Sequence, residues 1–215
     1  MSDISYRLFG FNYSIGKSPL FYDFALRVMS SIMHHRYDVY VEGAYKIPKA
    51  GPALILPKHQ FYDDIPLMAM VVHSGCGRRA NTIMKKELLQ DWYGVYGLIL
   101  VKGGGIPINR ENTKESIREL RYARELVKNG ELMIVYPEGT RNLGVVGKVN
   151  IEAIRFWQNT KVDNLPFIPV GIIYDAKKVA IRVGEPIPGQ GISAEELTDI
   201  ITQEISRLSN LPTKQ

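Results

Sequence analysis

Three short stretches hold the residue types that could do chemistry. "LPKHQFYDDIPL" carries His59 and, in H-x4-D spacing, Asp64; "KGGGIPINR" (102–110) ends in Arg110; "YPEGTRN" (136–142) offers Glu138, Gly139, Thr140 and Arg141. An imidazole titrates near neutrality and can take a proton from an attacking hydroxyl, a contribution of about 10²–10⁴-fold when well placed. Asp64 at this spacing can orient His59 and stabilise its imidazolium, as the acid of a Ser-His-Asp triad does. No G-x-S-x-G nucleophile elbow is present, so the attacking oxygen would belong to the substrate, and transfer would be direct. Arg110 and Arg141 are planar forks suited to phosphate. Each stretch alone also reads blandly: a histidine beside a strand as a hydrogen-bonded structural residue, a glycine run as a turn, Pro-Glu-Gly-Thr-Arg as a turn with a surface ion pair. The glycines match neither a P-loop nor a dinucleotide fingerprint.

To bring such loops together the chain needs a scaffold, and its patterning specifies one. Short apolar β-rich runs at 38–43, 53–57, 81–84, 131–137, 167–174 and 179–184 alternate with helical patterns. One helix is predicted from Asn112 to Asn129, with Asn112 or Thr113 as cap and Gly130 at its end. The last opens with Ser193 and Glu196 in capping-box spacing and carries Leu197, Ile200, Ile201, Ile205 and Leu208 on one stripe. This alternation implies an α/β fold, a single domain with a central, largely parallel sheet flanked by helices. In such folds sites gather in the loops that follow strands.

Composition narrows the partners. The 215 residues, 45% hydrophobic, suffice for one sizeable core. A net charge of +5 and a pI near 9.2 favour anionic partners, phosphorylated substrate or anionic lipid before nucleic acid, since no basic run or nucleic-acid-binding signature is present. The single Cys76 forms no internal disulfide, and His59, His73 and Cys76 match no common zinc spacing, so no metal is expected. The start lacks the features of a signal peptide, and no run reaches the roughly 18 apolar residues needed to span a bilayer. The expected location is the cytoplasm, with any membrane contact made from the surface.

In order and spacing, "HQFYDD", "GGIPINR", "YPEGTRN" and "LPFIPVGI" resemble the four motif blocks of the glycerolipid acyltransferase family, PlsC-type 1-acylglycerol-3-phosphate acyltransferases among them; the likeness covers roughly residues 38–186. The resemblance implies transfer of an acyl group from acyl-CoA or acyl carrier protein to a glycerolipid hydroxyl, with no other cofactor. It makes His59 the general base and Asp64 its partner. Arg110, Glu138, Gly139, Thr140 and Arg141 fall where the phosphorylated acceptor is held, and "MKKELL" (84–89) resembles the segment that brings a lysine, Lys85 or Lys86, to the site. The acceptor it implies is a lysophospholipid, 1-acylglycerol-3-phosphate first, with another lysolipid or glycerol-3-phosphate as alternatives; thioester hydrolysis and an inactive, anion-binding homologue are the other readings. Lys58 stands where the family often has Asn, Asn109 where an acidic residue is common, and Asn142 where Ser is frequent. Asp63, off the family spacing, is expected to be solvated.

Residues 1–36 precede the motif blocks and are read as an N-terminal amphipathic helical segment, with the acyltransferase domain at 37–215. In 19–33 Leu20, Phe21, Phe24, Ala25, Val28, Met29, Ile32 and Met33 share a broad apolar helical face. That face reads equally as a core-packing surface or as an interfacial helix holding the protein peripherally on the inner face of the membrane.

Overall fold

The computed structural model describes residues 5–8, 11–89, 95–109 and 112–214. Its centre is an eight-stranded sheet with the strands β3 (Asp38–Glu42), β4 (Ala53–Pro57), β5 (Asn81–Lys85), β6 (Gly105–Ile108), β7 (Leu132–Ile134), β8 (Pro166–Asp175), β9 (Lys178–Val183) and β10 (Ile187–Pro188). The order is β3-β9-β8-β4-β7-β5-β6, with β10 beside β8. Strands β8, β4, β7, β5 and β6 run parallel, β9 and β10 are antiparallel to β8, and β3 is parallel to β9. The sheet is therefore largely parallel, as the sequence implies.

The central strands are apolar throughout because both faces are covered. Along β4, Ala53 and Ile55 point into one core while Leu54 and Leu56 point into the other, and all four are fully buried. On the first face lie α1 (Pro19–Arg36) and α2 (Asp64–Cys76). Against the second pack α4 (Ile117–Lys128), α5 (Ile151–Gln158) and α6 (Ala194–Ser209), through Ala123, Val127, Ile154, Trp157, Leu197, Ile201 and Ile205. Ser193 caps α6 by accepting a hydrogen bond from Glu196 N at 3.1 Å.

Three readings differ. Gly105–Ile108, read as loop, is strand β6, because only Gly103 and Gly104 turn before the chain pairs with β5, Thr82 facing Gly105 in register. The helix expected at Asn112 starts as a 3-10 turn and becomes α-helical at Ile117, with no side-chain cap from Asn112; Ser116 Oγ instead accepts a hydrogen bond from Asn109 N at 2.6 Å. The N-terminal segment is not helical throughout: Ser5–Leu8 and Phe11–Ser14 (β1 and β2) pair antiparallel before α1 begins. The helix α3 (Val95–Lys102), absent from the sequence reading, precedes β6.

Helix α1 divides its broad apolar face between a packed side and an exposed one. Tyr22 and Met33 are buried, and Leu26 and Met29 lean inward with them. At four-residue intervals on another side, Leu20, Phe24, Val28 and Ile32 are 86%, 65%, 44% and 47% exposed. No helix among the described residues is long and apolar enough to cross a membrane.

Candidate active site

The site forms at the C-terminal ends of the parallel strands. β4 ends at Pro57, and the chain turns through residues 58–63 into α2. Asp64, in the first turn of that helix, folds back over the turn: its Oδ2 accepts from Gln60 N at 2.6 Å, Phe61 N at 2.8 Å and His59 Nδ1 at 2.9 Å. Those two backbone donors lie in the turn ahead of the helix, so by accepting from them the acid builds the turn that presents the histidine. Asp64 Oδ2, already accepting from two backbone N–H groups, suits Nδ1 as a third donor, and in a neutral ring with that tautomer Nε2 carries the lone pair. His59 stacks on Tyr136 with ring centroids 4.0 Å apart and lines a cavity of about 460 Å³.

That cavity is mostly apolar. Ala25, Leu26 and Met29 of α1, Ile65, Pro66 and Ala69 of α2, Ile83 and Met84 of β5, and Ile99 and Leu100 of α3 form its walls. Its polar end holds His59, Gly139, Thr140, Arg141 and Lys85. Thr140, Arg141 and Lys85 are exposed, and the Arg141 guanidinium lies 3.6 Å above the centroid of the Tyr62 ring. A cation held by its aromatic neighbour yet open to solvent keeps its N–H fork free to grip an anion. Gly139 adopts φ +68° at the turn after β7, a conformation that favours glycine. Lys86 starts the 3-10 turn after β5 and is not on the cavity wall; Arg110 lies outside the described residues.

Glu138 sits differently from the acceptor-holding position that the resemblance suggests. Its side chain is fully buried and receives Lys58 Nζ at 2.8 and 3.0 Å, Asn142 Nδ2 at 2.8 Å, Gly147 N at 2.6 Å and His59 N at 3.3 Å. Lys58 Nζ also donates to the carbonyls of His59 (3.0 Å) and Asn142 (2.8 Å), while Asn142 N donates to His59 O at 3.0 Å. Lys58 and Asn142, two of the departures from the family pattern, are thus halves of one buried brace that locks the His59 turn to the loop after β7. Burial pushes the Lys58 amine below its usual value, opposed by the hydrogen bond and charge of Glu138. A Cβ on Gly147 would collide with Asn142 Nδ2 and stand 2.9 Å from Glu138 Oε2, so a side chain there would displace the members of the brace.

Sequence reasoning missed two tyrosines. Tyr174, near the end of β8, donates its hydroxyl to Asp64 Oδ1, and Tyr37 donates to Asp63 Oδ2 at 2.7 Å. Asp63 is therefore not simply solvated; it also faces Arg36 Nε at 3.4 Å, and its side chain is 18% exposed. Neither tyrosine lies in a motif block. The only hint was the length of the apolar run "FIPVGIIY", which carries the strand past the fourth block.

A family model described as Acyltransferase matches residues 38–173, well over half of the chain. The chain belongs to this acyltransferase family. It is similar to human 1-acyl-sn-glycerol-3-phosphate acyltransferase alpha, with 33% identity over 120 residues, 54% of this chain and 40% of that protein. The Cocos nucifera 1-acyl-sn-glycerol-3-phosphate acyltransferase is 28% identical over 138 residues, 63% of this chain and 42% of that one. The chain thus spans about two fifths of the length of these relatives. Among solved structures, the 1-acyl-sn-glycerophosphate acyltransferase PlsC from Thermotoga maritima superposes with a TM-score of 0.64 at 26% identity, covering 88% of this chain and 80% of that one.

Proposed function

We propose that the protein transfers a fatty acyl group from a thioester, acyl-CoA or acyl carrier protein, to the free hydroxyl of 1-acylglycerol-3-phosphate, giving phosphatidic acid. The observation that carries this reading is the position of the His59–Asp64 pair where an apolar cavity meets a cationic rim. The acceptor hydroxyl attacks the thioester carbonyl while His59 Nε2 takes its proton. The tetrahedral intermediate then expels the thiolate by breaking the C–S bond, and the imidazolium returns the proton to sulfur. No enzyme nucleophile takes part. The acyl chain fits the walls formed by α1, α2 and α3, where burial of each methylene contributes about 0.8 kcal/mol; Arg141 and Lys85 face the acceptor phosphate, and Arg110 joins them by family position. The names of the relatives support the acceptor. The exposed stripe Leu20, Phe24, Val28 and Ile32 lies on the helix whose other side walls the cavity, which supports peripheral docking on the membrane from which a lysolipid would enter.

The test is turnover of labelled acyl donor with 1-acylglycerol-3-phosphate, products identified by mass spectrometry. His59→Ala is expected to lower kcat by about 10²–10⁴-fold in a folded protein. Near-native turnover in that variant rules out the base. Free fatty acid as the main product would point to hydrolysis instead.

A further inference from the structure

Asp64 is held unevenly by its own turn. Three donors, His59 Nδ1, Gln60 N and Phe61 N, all converge on Oδ2. The carboxylate is fully buried, and its other oxygen, Oδ1, takes the hydroxyl of Tyr174. Three bonds to one oxygen leave the carboxylate plane free to swing about that oxygen; a bond to the second oxygen stops the swing. Strand β8 is built to deliver it. Val170 O accepts from Lys58 N at 2.8 Å, Ile172 O accepts from Gln60 Nε2 at 3.0 Å, and Tyr174 reaches Asp64, so alternate residues on one strand secure successive parts of the turn. The Tyr174 ring is itself fixed edge-on by Phe61 and Tyr37, with centroids 4.7 and 5.8 Å away.

We infer that Tyr174 is a positioning residue of the reaction: its hydroxyl fixes the plane of Asp64, and through it the aim of His59 Nε2. This rests on the reading of His59 and Asp64 as base and orienting acid. Burial, and after it the charge of Asp64, push the Tyr174 hydroxyl far above its ordinary value, so it stays protonated and stays a donor. The neighbouring Asp63 has donors of its own, Tyr37 and Arg36, so the two carboxylates do not compete for one phenol.

The experiment compares Tyr174→Phe with Tyr37→Phe, two changes that each remove one hydroxyl and leave the ring. Both are read by steady-state kinetics and by the low-field proton resonance between His59 and Asp64, identified by its absence from His59→Ala. Tyr174→Phe is expected to lower kcat by about 10–100-fold, the loss of one hydrogen bond to a charged group. The KM of donor and acceptor stays where it was, and the resonance moves downfield as Asp64, short of one donor, pulls harder on the Nδ1 proton. Tyr37→Phe leaves the resonance unmoved. Tyr174→4-aminophenylalanine, which keeps ring and donor, restores most of the rate and keeps the proposal testable if the Phe variant folds poorly. Wild-type kcat and an unmoved resonance in Tyr174→Phe overturn the inference, as does an equal effect of Tyr37→Phe, which would make it one of packing. If His59→Ala itself retains turnover the base reading fails; if it is inactive while Tyr174→Phe is normal, only the role of Tyr174 fails.

Discussion

Glu138 poses the sharpest question at the residue scale, because one carboxylate is claimed by two roles. If it held the acceptor, its loss would raise the acceptor KM. Its geometry argues for bracing: all its near neighbours are donors from within the chain, and both it and Lys58 have 0% of the side chain exposed. Removing one member of a buried pair leaves the other charge uncompensated at about 3–5 kcal/mol. Glu138→Gln is therefore expected to lower the unfolding free energy by several kcal/mol in denaturant titration at pH 7, with the acceptor KM of the folded fraction unchanged. Arg141→Ala should behave oppositely. Its guanidinium is exposed at the rim, so stability holds while the acceptor KM rises by about 10-fold or more and the donor KM does not. Tyr136 supplies a third case. Its hydroxyl is buried without a partner among the described residues, and burial pushes its ionisation well above the ordinary value. An unpartnered buried hydroxyl costs about 1–3 kcal/mol, so Tyr136→Phe should raise the melting temperature.

Helix α1 joins an exposed apolar stripe, the cavity wall and the core in one element, and that division can be separated by mutation. Replacing Leu20, Phe24, Val28 and Ile32 by Ser and Gln is expected to abolish binding to anionic vesicles in a sedimentation assay while the melting temperature stays within a few degrees. Met33→Ala, on the packed side and 2% exposed, should do the reverse, keeping vesicle binding and losing about 2–5 kcal/mol of stability. Phe21 and Met29, half-buried, belong to neither clean set. Vesicle binding that survives the four surface substitutions would move the docking face elsewhere.

For the molecule as a whole, the buried phenols set a limit at high pH. Tyr22 is pushed up to about 12 by burial, and burial also raises Tyr136 and Tyr174 well above their ordinary value near 10. In the unfolded chain these groups lose their protons above pH 10 while the folded protein keeps them, so the folded state binds more protons and stability falls as pH rises. Each contributes up to about 1.4 kcal/mol per pH unit. Lys58 works in the opposite sense below its ordinary value of 10.5, since the unfolded chain protonates it more readily. Urea unfolding between pH 8 and 11.5 is expected to show no decline until about pH 10 and a steep one beyond, steeper than any gain from Lys58. A flat profile would mean that these hydroxyls ionise as readily in the folded protein.

Much of this was legible in the order of residues because it depends on local pattern. Within the runs at 53–57, 131–137 and 167–174, Ala53–Pro57, Leu132–Val135 and Phe167–Ile173 carry no polar side chain, a pattern suited to strands covered on both faces, and β4, β7 and β8 are those strands. H-x4-D reads directly as a turn with its acid at the start of a helix, since the carboxylate and the three donors to its Oδ2 lie within five residues. The sequence could not show that α1 divides its apolar face between cavity and solvent, because periodicity gives a helix its faces and only the packed neighbours decide which is covered. Nor could it show that Lys58, Glu138 and Asn142 close on one another, or that Tyr174 reaches Asp64. Those partners are 80, 84 and 110 residues apart, and a side chain has no preference for a distant partner until the sheet has fixed where both stand.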